Sequence, residues 1–189
     1  LFISNHKPQI GDRVSPDCPA SKTLGFCRLS GLSALLMLVM VLGLTGELFA
    51  GTKKVKNDTD LSGYVTDGTF SDDIKFEKDN KTLFIDGNVN DVTLAGEIHV
   101  KAGKAGNTIE AESDFAGTVS LSADNEYNQN ITLRGGTIAI IGSGKLGNGN
   151  FSGAMDLGSG GNTGTFKQNS SSAQTFSGTI SGTGWLIKD

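Results

Sequence analysis

From Gly51 onward the apolar residues fall at alternate positions in short runs, and Gly, Asn, Asp and Ser separate the runs. Leu61–Val65, Asp73–Phe76, Lys81–Asp86, Val92–Leu94, Glu97–Lys101, Thr108–Ala111, Gly117–Leu121, Ile131–Leu133 and Thr137–Ile141 are such runs. Alternation at a period of two predicts strands with one buried face. No stretch after Gly51 carries the i, i+3, i+4, i+7 apolar spacing of a helix, and glycine with β-branched residues at this density opposes helix further. Between Gly142 and Gly164 Phe151, Met155 and Leu157 fall at odd positions, which again fits one buried face. The most regular stretch is Thr175–Asp189, TFSGTISGTGWLIKD. Its Phe176, Gly178 and Ile180 point one way and Thr175, Ser177 and Thr179 the other, with turns at Gly182 and Gly184 before Leu186 begins another apolar run. Each run is too short to bury its own apolar face. Two all-β folds meet that need. One is a parallel β-solenoid with coils of about 20 residues sharing one core. The other is an antiparallel β-sandwich, for which Asp67-Gly68, Asp86-Gly87 and Arg134-Gly135-Gly136 offer hairpin turns.

Before Gly51 the pattern differs. Residues 1–30 are polar and irregular, and Lys7, Arg13, Lys22 and Arg28 outweigh Asp12 and Asp17. Gly31–Leu44, GLSALLMLVMVLGL, is apolar and uncharged. It is shorter than the roughly 20 residues that span a hydrocarbon core. A basic flank, a short apolar core and then small residues predict a helical export signal over residues 1–50, cleaved between Ala50 and Gly51. A retained anchor helix is the competing reading. Gly51–Asp60 is a charged lead-in to the β-rich body.

The stretch Gln174–Lys188, QTFSGTISGTGWLIK, resembles the autotransporter-associated β-strand repeat of bacterial passenger regions. ITLRGGTIAI (Ile131–Ile140) followed by GSGKLGNG (Gly142–Gly149) is similar to other coils of that family. The match covers roughly residues 131–189, and residues 51–130 match in style alone. Trp185 departs from the pattern, standing where the family has a small residue. The resemblance implies a right-handed parallel β-helix, with Phe176, Gly178, Ile180, Gly182, Gly184 and Leu186 as repeat positions. It also implies export by the secretion machinery and a downstream outer-membrane barrel in the full-length chain, so that residues 51–189 are expected to be a passenger segment truncated at its C-terminal end. An adhesin-like or scaffold role on the surface of a Gram-negative cell follows, with a host or matrix ligand that the resemblance does not name.

Composition narrows the chemistry. The formal net charge is −4, and the residues from Gly51 onward carry 12 Lys and Arg against 17 Asp and Glu. An acidic body argues against a nucleic-acid partner, whose phosphates need a basic face. Cys18, Cys27 and all three prolines precede Gly51, so the body has no disulfide framework and no cysteine metal site. Gly142-Ser-Gly144-Lys-Leu-Gly147 has dinucleotide-loop spacing, but the residues after it cannot sustain the helix such a loop opens, and turns between coils are expected instead. Asp86, Asn88, Asn90 and Glu97 have calcium-loop spacing with Asp91 at the position that needs glycine, which predicts a polar turn. Asp58, Asp60, Asp72 and Asp73 are expected to face solvent, and His99 to be a surface histidine without a partner. No Gly-x-Ser-x-Gly elbow or distinctive carboxylate pair occurs. No catalytic residue, cofactor or metal is therefore assigned. The competing functions are a secreted β-helical polysaccharide lyase or hydrolase, and an antiparallel carbohydrate-binding module.

Overall fold

A computed structural model describes residues 51–158 and 160–189. The expected signal segment, including Ala50, lies outside the described residues. The strands are short and form six successive coils. The first coil holds β1 (Thr52–Val55), β2 (Thr59–Asp60) and β3 (Gly68–Phe70). The second holds β4 (Asp73–Phe76), β5 (Thr82–Ile85) and β6 (Val92–Leu94), and the third β7 (Ile98–Val100), β8 (Thr108–Ala111) and β9 (Thr118–Leu121). The fourth holds β10 (Asp124–Asn125), β11 (Asn130–Leu133) and β12 (Thr137–Gly142). The fifth holds β13 (Lys145–Leu146), β14 (Asn150–Phe151), β15 (Met155–Asp156) and β16 (Thr165–Ser170), and the sixth β17 (Thr175–Phe176), β18 (Ile180–Ser181) and β19 (Trp185–Lys188).

Each coil contributes to three faces. One face is the six-stranded sheet β2-β5-β8-β11-β15-β18, and another is β3-β6-β9-β12-β16-β19. The remaining face is built in pieces, β1-β4-β7, β10-β13 and β14-β17. Every strand pair among the described residues is parallel, so the fold is a parallel β-solenoid and the antiparallel sandwich is excluded, and with it the antiparallel module. Thr59, Leu83, Ile109, Ile131, Met155 and Ile180 stand one above another, so successive coils take 24, 26, 22, 24 and 25 residues. That is longer than the expected 20, because the corners between strands consume more chain than the apolar runs reveal.

The register explains the core. Leu83, Ile109, Ile131 and Met155 form one buried column, and Val92, Val119, Ile138 and Phe166 another. Each residue in a column is covered by the equivalent residue of the coil above. A fully buried Leu or Ile side chain stabilises by about 1.5–3 kcal/mol, so the columns supply the main driving force. One column changes character along its length: Phe70, Leu94, Leu121 and Ile140 are followed by Gln168 and Lys188.

Leu61–Val65 is not a strand. Leu61–Gly63 forms a single 3-10 turn, and the Tyr64 and Val65 N–H groups both donate to the Leu61 carbonyl, at 2.8 and 3.0 Å. Leu61 is buried there and Tyr64 stacks on Phe70 with ring centroids 6.2 Å apart, so the apolar residues serve a corner.

Where coils cross closely, glycine is a steric requirement. A Cβ on Gly153 would lie 1.9 Å from the Gln129 carbonyl oxygen, and one on Gly178 would lie 2.0 Å from that of Gly153. Gly153→Ala is expected to cost about 1–3 kcal/mol, as overpacking does. Gly63→Ala, where a Cβ meets nothing within 4 Å, is expected to change stability by less than about 0.5 kcal/mol. Urea unfolding of the two variants checks the contrast, and equal effects would contradict the close-crossing account.

Candidate interaction surfaces

The corners carry polar side chains that reach from one coil to the backbone of the next. Asp72 Oδ1 accepts the Gly51 N–H at 2.7 Å, Asp58 Oδ1 the Thr82 N–H at 3.0 Å and Asp73 Oδ1 the Glu97 N–H at 2.9 Å. Asp79 and Asp91 do the same for Ala105 and Thr118. Asp58 and Asp60 face solvent as expected, whereas Asp72 and Asp73 are half-buried; Asp58, Asp72 and Asp73 each also hold a backbone donor at a sheet end. Amides take this role where the corner is buried. Asn125 Oδ1 accepts the Ile98 N–H at 2.8 Å, Asn107 Oδ1 that of Lys81 at 2.9 Å, and Gln129 Oε1 that of Asn107 at 2.7 Å. Tyr127 is wholly buried with its hydroxyl 2.7 Å from the Asn130 carbonyl oxygen, and burial pushes the phenol well above its ordinary range. Ion pairs also link coils, Arg134 with Glu110 at 2.7 Å and Lys104 with Asp79 at 3.0 Å, but exposed pairs of this kind contribute about 0–1 kcal/mol.

The residues with calcium-loop spacing do not converge. Asp86 Oδ2 accepts a hydrogen bond from Asn88 Nδ2 at 2.8 Å, and the Asn90 N–H donates to the Thr66 carbonyl at 2.7 Å. Glu97 lies past β6, beside His99. Among the described residues no group of three His, Cys, Asp or Glu is arranged to hold a metal ion. The Gly142–Gly147 loop is the corner between β12 and β13, with Gly142 and Gly147 at φ +60° and +55° and only a three-residue 3-10 turn after it.

His99 is not partnerless. It is half-buried, with Nε2 3.5 Å from Asp73 Oδ2 and Nδ1 3.6 Å from both Glu97 Oε2 and Glu126 Oε2. Lys75 is its neighbour in the register. These carboxylates come from three successive coils, and the stacking order brings Asp73 and Glu126 to the imidazole beside its sequence neighbour Glu97. Glu112 has a different environment. Burial, followed by the charges of Asp114, Asp86, Glu110 and Asp60, raises its carboxyl above the ordinary value.

The repeat positions occupy the sixth coil. Phe176 is on the pieced face, Ile180 on the β2 face and Leu186 on the β3 face, so the motif visits all three faces. A Cβ on Gly184 would lie 2.2 Å from the Gly164 and Leu157 carbonyl oxygens, and Gly182 sits at φ +104°, so both glycines are needed where the chain turns against the coil beneath. Ile180 stands over Met155 and Leu186 over Phe166, with nothing described above them. Together with Trp185, on the outward side of β19, they are the exposed large apolar side chains among the described residues: 38% for Ile180, 67% for Trp185 and 47% for Leu186. Beside them lies an open hollow of about 590 Å³, lined by Gln168, the turn 170–174, Phe176 and Leu186–Lys188. Gly51, the expected first mature residue, begins the described body beside Asp72.

No family model, curated protein or solved structure matches the chain.

The carboxylates give opposite pH signatures. The Gly51 N–H and then Lys53 lower Asp72, and the Ala105 N–H and then Lys104 lower Asp79. Stability from a lowered carboxyl is present above its unfolded value and is lost as pH falls through the folded one. Asp79→Asn is therefore expected to lower the melting temperature at pH 7 and to matter little at pH 3. Glu112 is raised, so its ionisation opposes folding, and Glu112→Gln is expected to raise the melting temperature by about 1–2 °C at pH 7 with no gain at pH 3. Thermal melts at both pH values check the signs, and a stabilising Asp79→Asn at pH 7 would refute the corner role.

Proposed function

We propose that residues 51–189 are an exported, non-catalytic passenger segment of an autotransporter, adhesin-like or scaffolding, carried to or released from the outer surface of a Gram-negative cell. The observation that supports this most is the way the resembling stretch sits in the stack. Gln174–Lys188 visits all three faces within one coil, with Phe176, Ile180 and Leu186 each entering a different face. A parallel solenoid suits vectorial export. Each coil is stabilised by its neighbours in the stack and needs no distant contact, so the chain can assemble as it emerges. The outer sides of three faces then offer a long surface to a host or matrix ligand. The basic flank and the apolar run 31–44 support entry into the secretion machinery.

Expression in a Gram-negative host tests the reading. The exported pool is expected to begin near Gly51 by N-terminal sequencing, and retention of residues 1–30 on exported protein would refute the processing step. Incubation with a panel of polysaccharides is expected to release no new reducing or unsaturated ends. Such a product, lost on substitution of an outward carboxylate such as Glu112, would favour the lyase or hydrolase instead.

A further inference from the structure

We infer that the outward side of the β3 face is a binding surface for a neutral polysaccharide, an extended chain of uncharged sugars lying across the strands. Charge is spread unevenly over the three faces. In the first five coils the strands of this face, β3, β6, β9, β12 and β16, hold one charged side chain, Lys167. The β2 face carries Asp60, Glu110 and Asp156 in its strands and Asp86, Glu112 and Arg134 directly after them. The pieced face stacks Lys54, Lys75 and His99 in one column. Every ion pair between described residues lies off the β3 face. In place of charge this face presents hydroxyls in register. Thr69, Thr93 and Ser120 stand in one outward column, and Thr118, Thr137 and Thr165 in the next. Ser122, beside them, donates its hydroxyl to the Leu94 carbonyl at 3.3 Å. Among the described residues the six hydroxyls have no such partner within the chain.

The ligand class follows from this chemistry. A Thr or Ser hydroxyl donates one hydrogen bond and accepts two, as a sugar hydroxyl does, and the Thr methyl packs on the C–H side of a sugar ring. Charge is scarce at the centre of contact surfaces because covering it costs desolvation, and here one face of three keeps it out. Neighbouring strands lie about 4.8 Å apart, a step comparable with one sugar ring, so an extended polymer meets an equivalent hydroxyl at each coil. Single hydroxyl contacts are weak, and their repetition along one polymer supplies the affinity. Other occupants fit less well. Five strands of three to six residues present a flat area of about 300–400 Å², against roughly 800 Å² per partner in a stable protein contact. A small molecule on an open sheet face stays largely in water, whereas small-molecule sites are concave. An anionic polymer finds only Lys167 here, and the Asp91 carboxylate at the edge, which accepts the Thr118 N–H at 2.8 Å.

The surface takes its setting from the adhesin-like reading proposed above, and purified protein lets the two fail separately. Absence of binding leaves export and cleavage near Gly51 standing, and failed export leaves a binding result untouched. The 189-residue chain is incubated with insoluble cellulose, chitin and cross-linked dextran, and with heparin-agarose as the anionic comparison. The expected result is co-sedimentation with at least one neutral polymer, unchanged between low and high salt because no ion pair is formed. Thr137→Val is expected to weaken retention about 2–10-fold, the worth of one hydrogen bond, and Thr93→Lys by more than about tenfold. Thr132→Lys, on the β2 face, is expected to leave it unchanged, with β-type circular dichroism retained in all three variants. No retention on any of the three neutral polymers overturns the inference. So does retention on heparin alone, or an equal loss in Thr132→Lys. A mass that doubles with concentration in place of retention, and returns to one chain in Thr93→Lys, also overturns it, since it would assign the face to a second copy.

Discussion

Every coil of this protein needs the coil above it. A parallel strand of two to six residues cannot bury its apolar side alone, and its backbone groups along one edge are unpaired until the next turn arrives. The columns through Leu83 and Val92 meet the first need and the in-register ladders the second. The rest of the structure is arranged so that stacking is not lost at the corners. There the chain leaves the sheets, the ladders stop, and carboxylates and amides take over as acceptors for donors one coil away. Glycine recurs at the same corners because the stacking distance leaves no room for a side chain. Hydrophobic columns, corner hydrogen bonds and glycine crossings are three answers to one spacing.

Much of this was legible in the sequence where packing is local. Asp73–Phe76, Val92–Leu94 and Thr108–Ala111 are strands with the expected bounds, because alternation reports a one-sided burial directly. Leu61–Val65 misled because Leu61, Tyr64 and Val65 are apolar at a corner, where burial comes from a turn folding under the stack. The coil length was underestimated for a related reason: corners have no period. The roles of Asp58, Asp72 and Asp73 were hidden because their partners lie 21 to 24 residues away, at a distance fixed only by the coil. His99 was hidden likewise, since Asp73 and Glu126 flank it in sequence by more than a strand and reach it only through the stacking of successive turns.

The solenoid separates two tasks that most folds mix. Inward positions are almost wholly apolar and repeat from coil to coil, while outward positions vary from Asp60 and Phe84 to Glu110, Thr132 and Asp156 along one column. The polar turn in the column that reaches Gln168 and Lys188 is the exception, and it falls in the fifth and sixth coils.

The uneven coil length has an architectural consequence. Along the β3 face, from Gly68 through Val92, Val119, Ile138 and Phe166 to Leu186, the steps are 24, 27, 19, 28 and 20 residues, yet the ladder stays in register. Up to nine residues can thus be gained or lost between neighbouring coils without displacing a column. The corners act as expansion joints. Peptide inserted there, by natural drift or by grafting, enlarges the perimeter at one level while the core above and below keeps its alignment, and the molecule can change what it displays without changing what holds it up.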